Sequence, residues 1–134
     1  MAQALYKQWE RLTPQEQAYL RSKPHHAFTI QETRDAAYEE TKRRFGRNGH
    51  NDKSDAFRHC FWSALLAREL GFQDAFRFTT AHEAFPTNPL GEQEMDLHNN
   101  RVGLNIGRSK GANGAMSMRC MAALQSGQLK FMVK

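Results

Sequence analysis

Apolar residues along this chain recur at intervals of three and four, the spacing that places them on one stripe of an α-helix. The densest run, KSDAFRHCFWSALLARELG at 53–71, is apolar on nearly every side, because Phe57, Phe61 and the Ala64–Leu66 step leave little polar surface. A helix of that kind belongs at the centre of a fold. Asn51 or Asp52 caps its start, and Gly71 closes it. Upstream, Thr13, Pro14 and Glu16 in TPQEQAYLRSK spell a capping box with proline at the first helical position. A second box, Thr29 to Glu32, opens a longer amphipathic helix that Gly46 ends, with KPHHAF as the linker between the two. FQDAFRFTTAHEAF at 72–85 forms the next helix, and the two prolines of PTNPL stop it. EQEMDLHNNRVGLNIG and GAMSMRCMAALQSG carry helical spacing as well, with Gly127 as the last stop. Only QLKFMVK at the C-terminus reads as extended, and one strand makes no sheet. The expected fold is all-α. It is one domain over residues 1–134 with six to seven helices, N-terminal helices in 1–49, a functional core in 50–130 and a short extended tail.

Composition narrows this picture. A chain of 134 residues suits a single core. No apolar stretch approaches the roughly 20 residues that cross a bilayer. MAQALYKQWERL has neither the apolar centre nor the cleavage site of a signal peptide, so any export is not expected to run on a Sec signal of its own. Nineteen basic against fourteen acidic residues give a net charge of +5, which allows an anionic partner. The one dense basic run, KRRFGR at 42–47, reads as the solvated C-terminal end of a helix, and no RNA-binding aromatic signature lies beside it. Nucleic acid is left open as a partner. Two cysteines, Cys60 and Cys120, exclude a disulfide-dense scaffold and a CxxC zinc site. Both lie in apolar helical contexts, so buried free thiols are expected, with pairing as the alternative in an oxidising compartment.

The chemistry sits inside the apolar run. Helical spacing of four puts Asp55 and His59 on one face, while Arg58 lies about 100° around from His59. Buried charges need partners. Taken alone, Asp55 would simply fix His59 near a helix start. The next helix, however, ends in His82 and Glu83, and the one after it carries Asp96, His98, Asn99, Asn100 and Arg101. Three short segments thus gather three of six histidines with three acids and two amides, the composition of a hydrolytic site. If 92–106 is one helix, Asp96, Asn99, Asn100 and Gly103 share a face, whereas His98 points about 200° away from Asp96. Gly103 and Gly107 would let that face approach the Asp55–His59 helix closely. His25, His26 and His50 read as solvated bystanders, with His50 in reserve because it is near Asp55. Trp9 and Trp62 read as packing residues. Ser54 and Ser63 lack a nucleophile elbow, and Cys60 points away from His59, so neither a serine nor a cysteine nucleophile is expected.

The ordered set DAFRHCFWSALLARELG, AHE, NP, MDLHNNRVGLNIG, Cys120 and ALQSGQL resembles a domain of unknown function found at the C-terminal ends of bacterial polymorphic toxins, in Rhs or YD-repeat proteins and type VI secretion effectors. The resemblance covers about residues 50–130. It implies an antibacterial toxin domain delivered by a secretion carrier into a target cell, acting in its periplasm or envelope, with a cognate immunity protein. It carries no mechanism, so only Asp55, Arg58, His59, His82, Glu83, Asp96, His98, Asn99 and Asn100 are taken as motif positions. From the residues, the expected function is a hydrolase that a phosphate-containing substrate fits best, and the toxin resemblance adds a preference for the cell envelope, with a lipid-linked wall precursor or a phospholipid as the expected target. Asp55, His59, His82, Glu83 and Asp96 are its candidate catalytic residues. Arg58, His98, Asn99, Asn100 and Arg101 would bind the substrate, and one divalent metal ion could sit on His59, His82 and Asp96. A lysozyme-like glycosidase using Glu83 and Asp96, a nuclease, and a non-catalytic helical module with a buried polar network are the alternatives.

Overall fold

The computed structural model describes residues 9–85 and 88–133. The start of the N-terminal segment, Pro86 and Thr87 of the PTNPL loop, and Lys134 of the tail lie outside the described residues. Among the described residues, 9–11 are helical and six further α-helices follow in order: α1 (Pro14–Ser22), α2 (Ala27–Phe45), α3 (Lys53–Leu70), α4 (Phe72–His82), α5 (Leu90–Gly107) and α6 (Asn113–Gln125). No strand occurs among the described residues. The apolar run becomes α3, and α2, α4, α5 and α6 all pack on it. Phe57, Phe61, Leu65 and Leu66 of α3 are fully enclosed with Phe78 of α4, Leu104 of α5 and Met116 of α6. Tyr19 and Ile30 belong to the same core, so the N-terminal helices are part of one domain. No described helix is long and apolar enough to cross a membrane.

The capping signals fare differently from one another. Thr13 caps α1 as its sequence implies: its hydroxyl accepts from the Glu16 amide at 3.0 Å, and Glu16 Oε1 accepts from the Thr13 amide at 2.8 Å. The Thr13 hydroxyl also donates to the Ala81 carbonyl at 2.7 Å, tying the start of α1 to the end of α4. The Thr29–Glu32 box, by contrast, caps nothing. KPHHAF is no linker, because Pro24–His26 form a 3₁₀ turn whose last residue is already helical, and α2 runs on from Ala27 with no side-chain cap. Asp52, rather than Asn51, caps α3, with Oδ1 accepting from the Asp55 amide at 3.0 Å. The fourth helix ends at His82, three residues before its apolar pattern does, with Glu83 as its C-cap. The tail forms no strand. Leu129 is buried, and the Met132 and Val133 amides both donate to the Asn51 carbonyl. Cys60 and Cys120 are buried free thiols with their sulfurs 3.0 Å apart.

The contact that sets the geometry is between α3 and α5. A Cβ built on Gly103 would lie 2.0 Å from the Cys60 carbonyl oxygen, and one on Gly107 would lie 2.3 Å from that of Ala64. Backbone therefore meets backbone there, and only glycine fits. Since the obstacle is main chain rather than a side-chain end, α5 would have to move bodily to admit a methyl group. Gly103→Ala should lose about 3 kcal/mol, lowering the melting temperature by about 10 °C in a thermal scan followed by circular dichroism. Gly114→Ala, at the start of α6 with nothing within 4 Å of the added carbon, should leave stability unchanged or slightly raised.

Candidate functional site

Close approach of α3 and α5 brings four acidic or amide side chains around one imidazole. His59 Nε2 lies 3.3 Å from Asp55 Oδ1 and 3.4 Å from Asp96 Oδ1. On the other side of the ring, Nδ1 lies 3.2 Å from Asn100 Oδ1 and 3.5 Å from Glu83 Oε2. Each partner is held in turn. Asp55 Oδ2 accepts from the Asn51 amide at 2.7 Å, and Arg58 Nη2 donates to Asp55 Oδ1 at 2.5 Å. Asn100 Nδ2 donates to Glu83 Oε2 at 3.1 Å, while the Ser63 hydroxyl donates to Asn100 Oδ1 at 3.3 Å. Asn88 and Gln93 side chains both donate to the Glu83 carbonyl, fixing the end of α4 beside the ring. Asp96 is the exception. Its Oδ1 is buried and accepts no hydrogen bond.

The electrostatics follow from that enclosure. Burial disfavours a charged imidazole, but the Asp55 hydrogen bond and the nearby Asp96 and Glu83 carboxylates outweigh it and hold His59 up at about 9, from an ordinary 6.5. Burial likewise pushes Asp96 up, to about 6, against the attraction of His59 and with the help of the Glu83 and Asp55 charges. Asp55 goes the other way: burial raises it, yet hydrogen bonding and charge from His59, the Asn51 amide and Arg58 bring it below its usual range. His59 is thus an imidazolium at neutral pH, beside a carboxylate that titrates not far below neutrality.

Of the residues expected at the site, Asp55, Arg58, His59, Glu83, Asp96 and Asn100 come together. His82 does not join the His59–Asp96 pair as a metal ligand, because its Nδ1 donates to Glu16 Oε2 at 2.9 Å, the second oxygen of the capping-box carboxylate. α5 is continuous, so His98 points off the Asp96 face and its Nε2 donates to the Gln128 carbonyl at 2.8 Å. Asn99 clamps the tail, accepting from the Lys130 amide and donating to its carbonyl, both at 2.8 Å. Arg101 is exposed at the edge of a different hollow, between α4 and α5, with Phe76 and Thr80. His50 is exposed, with Nε2 3.4 Å from Glu92 and Nδ1 3.9 Å from Asp55 Oδ2, so it edges the site rather than forming it. His26 is no bystander, for its Nδ1 lies 2.8 Å from the Tyr19 hydroxyl.

Ligand atoms of Asp55, His59 and Asp96 all lie within 4.8 Å of one another, close enough to converge on one divalent cation. A small pocket of about 100 Å³ opens beside His59, lined by Arg34, Ala37, Tyr38, Arg58, Trp62 and His82. Arg34 and Tyr38 of α2 escaped the sequence reading. Their spacing of four on one helix is the signal that pairs them.

The described helices, packed around a buried histidine–carboxylate cluster, define the protein as an all-α domain. Residues 17–128 match a family described as a domain of unknown function, DUF6973, and the chain belongs to that family. No curated protein and no solved structure matches it.

The three surrounding acids predict how His59 behaves. Asp96→Asn removes a negative charge that favours the imidazolium, so the His59 midpoint should fall from about 9, as read from the NMR shifts of a labelled ring against pH. Because the folded value exceeds the ordinary 6.5, the pairing stabilises the fold fully below about 6.5 and is lost as pH rises through about 9. Asp96→Asn should shrink that alkaline loss.

Proposed function

We propose that this domain is a hydrolase in which Asp96 takes the proton from an attacking water and His59 donates one to the leaving oxygen. The observation that carries the reading is the Asp96 Oδ1 atom, buried, without a hydrogen-bond donor, and 3.4 Å from His59 Nε2. A buried acceptor left unpaired is costly, by roughly 1–3 kcal/mol, and such atoms gather at sites where a substrate or water completes the set. A carboxylate raised toward neutrality beside an imidazolium held well above it supplies a base and an acid 3.4 Å apart. Asp55 and Asn100 orient the ring from its two nitrogens. Glu83 is 2% exposed, with its Oε2 engaged by Asn100 and His59, so it tunes the ring rather than meeting substrate. That placement disfavours Glu83 as the acid of a glycosidase.

A second reading, favoured by the convergence of the Asp55, His59 and Asp96 ligand atoms, places a divalent cation there in exchange for the imidazolium proton. Inhibition by a chelator and restoration by manganese would select it. The substrate is proposed to be an anionic ester of the cell envelope, and the setting an antibacterial toxin moved by a secretion carrier. Those two proposals rest on the motif resemblance and on fold-independent analogy.

Under the acid–base reading, hydrolysis should follow a bell-shaped pH profile, rising as Asp96 deprotonates around 6 and falling as His59 loses its proton around 9, with both limbs belonging to the coupled pair. Asp96→Asn and His59→Gln should each lower turnover by about 10²–10⁴-fold while circular dichroism shows the helices intact. Loss of the helices instead would mark the cluster as a structural network. Expression in the bacterial periplasm should lyse the host, and cytoplasmic expression should not. Toxicity confined to the cytoplasm with loss of DNA or RNA would point to a nuclease and overturn the envelope substrate.

A further inference from the structure

The pocket beside His59 is opposite in character to the carboxylate cluster. Arg58 closes one side of it, its guanidinium 4.9 Å from the Tyr38 ring centroid and its Nη2 shared by Asp55 and the Gly49 carbonyl. Arg34 reaches the same ring from one turn earlier on α2, at 4.7 Å. Arg43, Arg44, Arg47, Arg58 and Arg68 each pair with a carboxylate, whereas Arg34 makes no ion pair among the described residues. Two guanidinium groups are thus drawn to one aromatic ring with a single carboxylate between them. Two positive groups over one ring make that mouth of the pocket attractive to an anion. The floor is rigid. Trp62 is fixed by its Nε1–H donating to Thr33 Oγ1 at 3.0 Å and packs edge-on against His82, whose own ring is anchored by Glu16.

We infer that this pocket seats a single terminal phosphoryl group, with the Arg34 guanidinium as its donor fork, Arg58 adding its charge while its Nη2 stays on Asp55 and the Gly49 carbonyl, and the phosphoester linkage directed toward His59. Guanidinium forks match phosphate oxygens in planar, bidentate geometry, which a carboxylate-lined cluster cannot offer. The pocket's volume, about 100 Å³, suits one end group and not the continuous backbone of a nucleic acid. In this arrangement His59 lines the pocket and the carboxylate cluster alike. The inference rests on the hydrolase reading for the orientation of the ester, while the anion site itself stands independently of turnover.

Binding can be read from Trp62 alone, since Trp9 is the one other tryptophan and Trp9→Phe silences it. Titration of the Trp9→Phe protein with inorganic phosphate and with phenyl phosphate should give saturable fluorescence changes. Arg34→Gln should weaken both at least tenfold, and Arg34→Lys, which keeps the charge and loses the fork, should fall between the two. Asp96→Asn should abolish hydrolysis and leave phosphate binding intact or tighter, so a failed hydrolase with a preserved phosphate site remains distinguishable from a failed site. Lysophosphatidic acid below its micelle concentration should compete if the phosphoryl group is carried by a lipid, and failure to compete while phenyl phosphate does would assign it to a small soluble ester. Phosphate binding that is absent, or that Arg34→Gln leaves unchanged, overturns the inference. So does tighter, Arg34-independent binding of a single-stranded oligonucleotide lacking a terminal phosphate.

Discussion

The site depends on a contact that contains no functional group. Gly103 and Gly107 let α5 lie with its backbone against the Cys60 and Ala64 carbonyls of α3, with no space left for a methyl group. Asn99 and Asn100 sit one turn before Gly103, and His59 sits beside Cys60, so the depth of that contact sets the separation of His59 from Asp96 and Asn100. A wider crossing would open the cluster to water. The carboxylates would then be solvated singly, and neither the imidazolium nor the raised Asp96 would survive, because both shifts come from charges crowded into a poorly solvated space. Packing in this domain is therefore also the means of tuning its electrostatics.

Burial of so many charges on the central helix is tolerated because they compensate locally. Asp52, Asp55 and Glu83 have their oxygens taken by caps, amides or charged donors. Arg58 and His59 supply the positive charge within the same two turns. What is left over among the described residues is two buried oxygens, Asn51 Oδ1 and the carboxylate Oδ1 of Asp96. In a network otherwise so well satisfied, Asp96 Oδ1 is the unpaired acceptor that lies beside the imidazole.

Helix existence was legible in the sequence because apolar period and glycine stops agree over 53–71 and again over 92–107. The pairing of Asp55 with His59 was legible for the same reason, being local on one helix. The start of α2 was not. A proline-initiated 3₁₀ turn at Pro24–His26 supplies helical backbone directly, so no side-chain cap is required and the Thr29 signature lies unused inside the helix. His98 and Asn99 look like His59 and Asn100 in composition, yet they serve the tail, because one continuous α5 turns them from the cluster and Gln128 and Lys130 stand where they point. Glu16 shows the limit of motif reading. Its capping-box role was visible, but the second oxygen that captures His82 depends on where α4 ends, a tertiary fact. Arg34 was overlooked for a like reason: an exposed arginine on a polar helix face acquires meaning only once Arg58 of α3 is placed over the same tyrosine.

Consecutive residues Arg58 and His59 now explain the layout. Successive positions on a helix diverge by about 100°, so neighbours in sequence must face different surroundings. One turns toward Tyr38, Arg34 and the loop carbonyl of Gly49, the other toward Asp96, Glu83 and Asn100, and Asp55 bridges both from the turn before. A single carboxylate on a central helix is thereby shared between a guanidinium and an imidazolium that face different surroundings. Although burial raises it, those partners and the Asn51 amide bring it below the usual carboxylate range, so the same two turns that bury the charges also neutralise them.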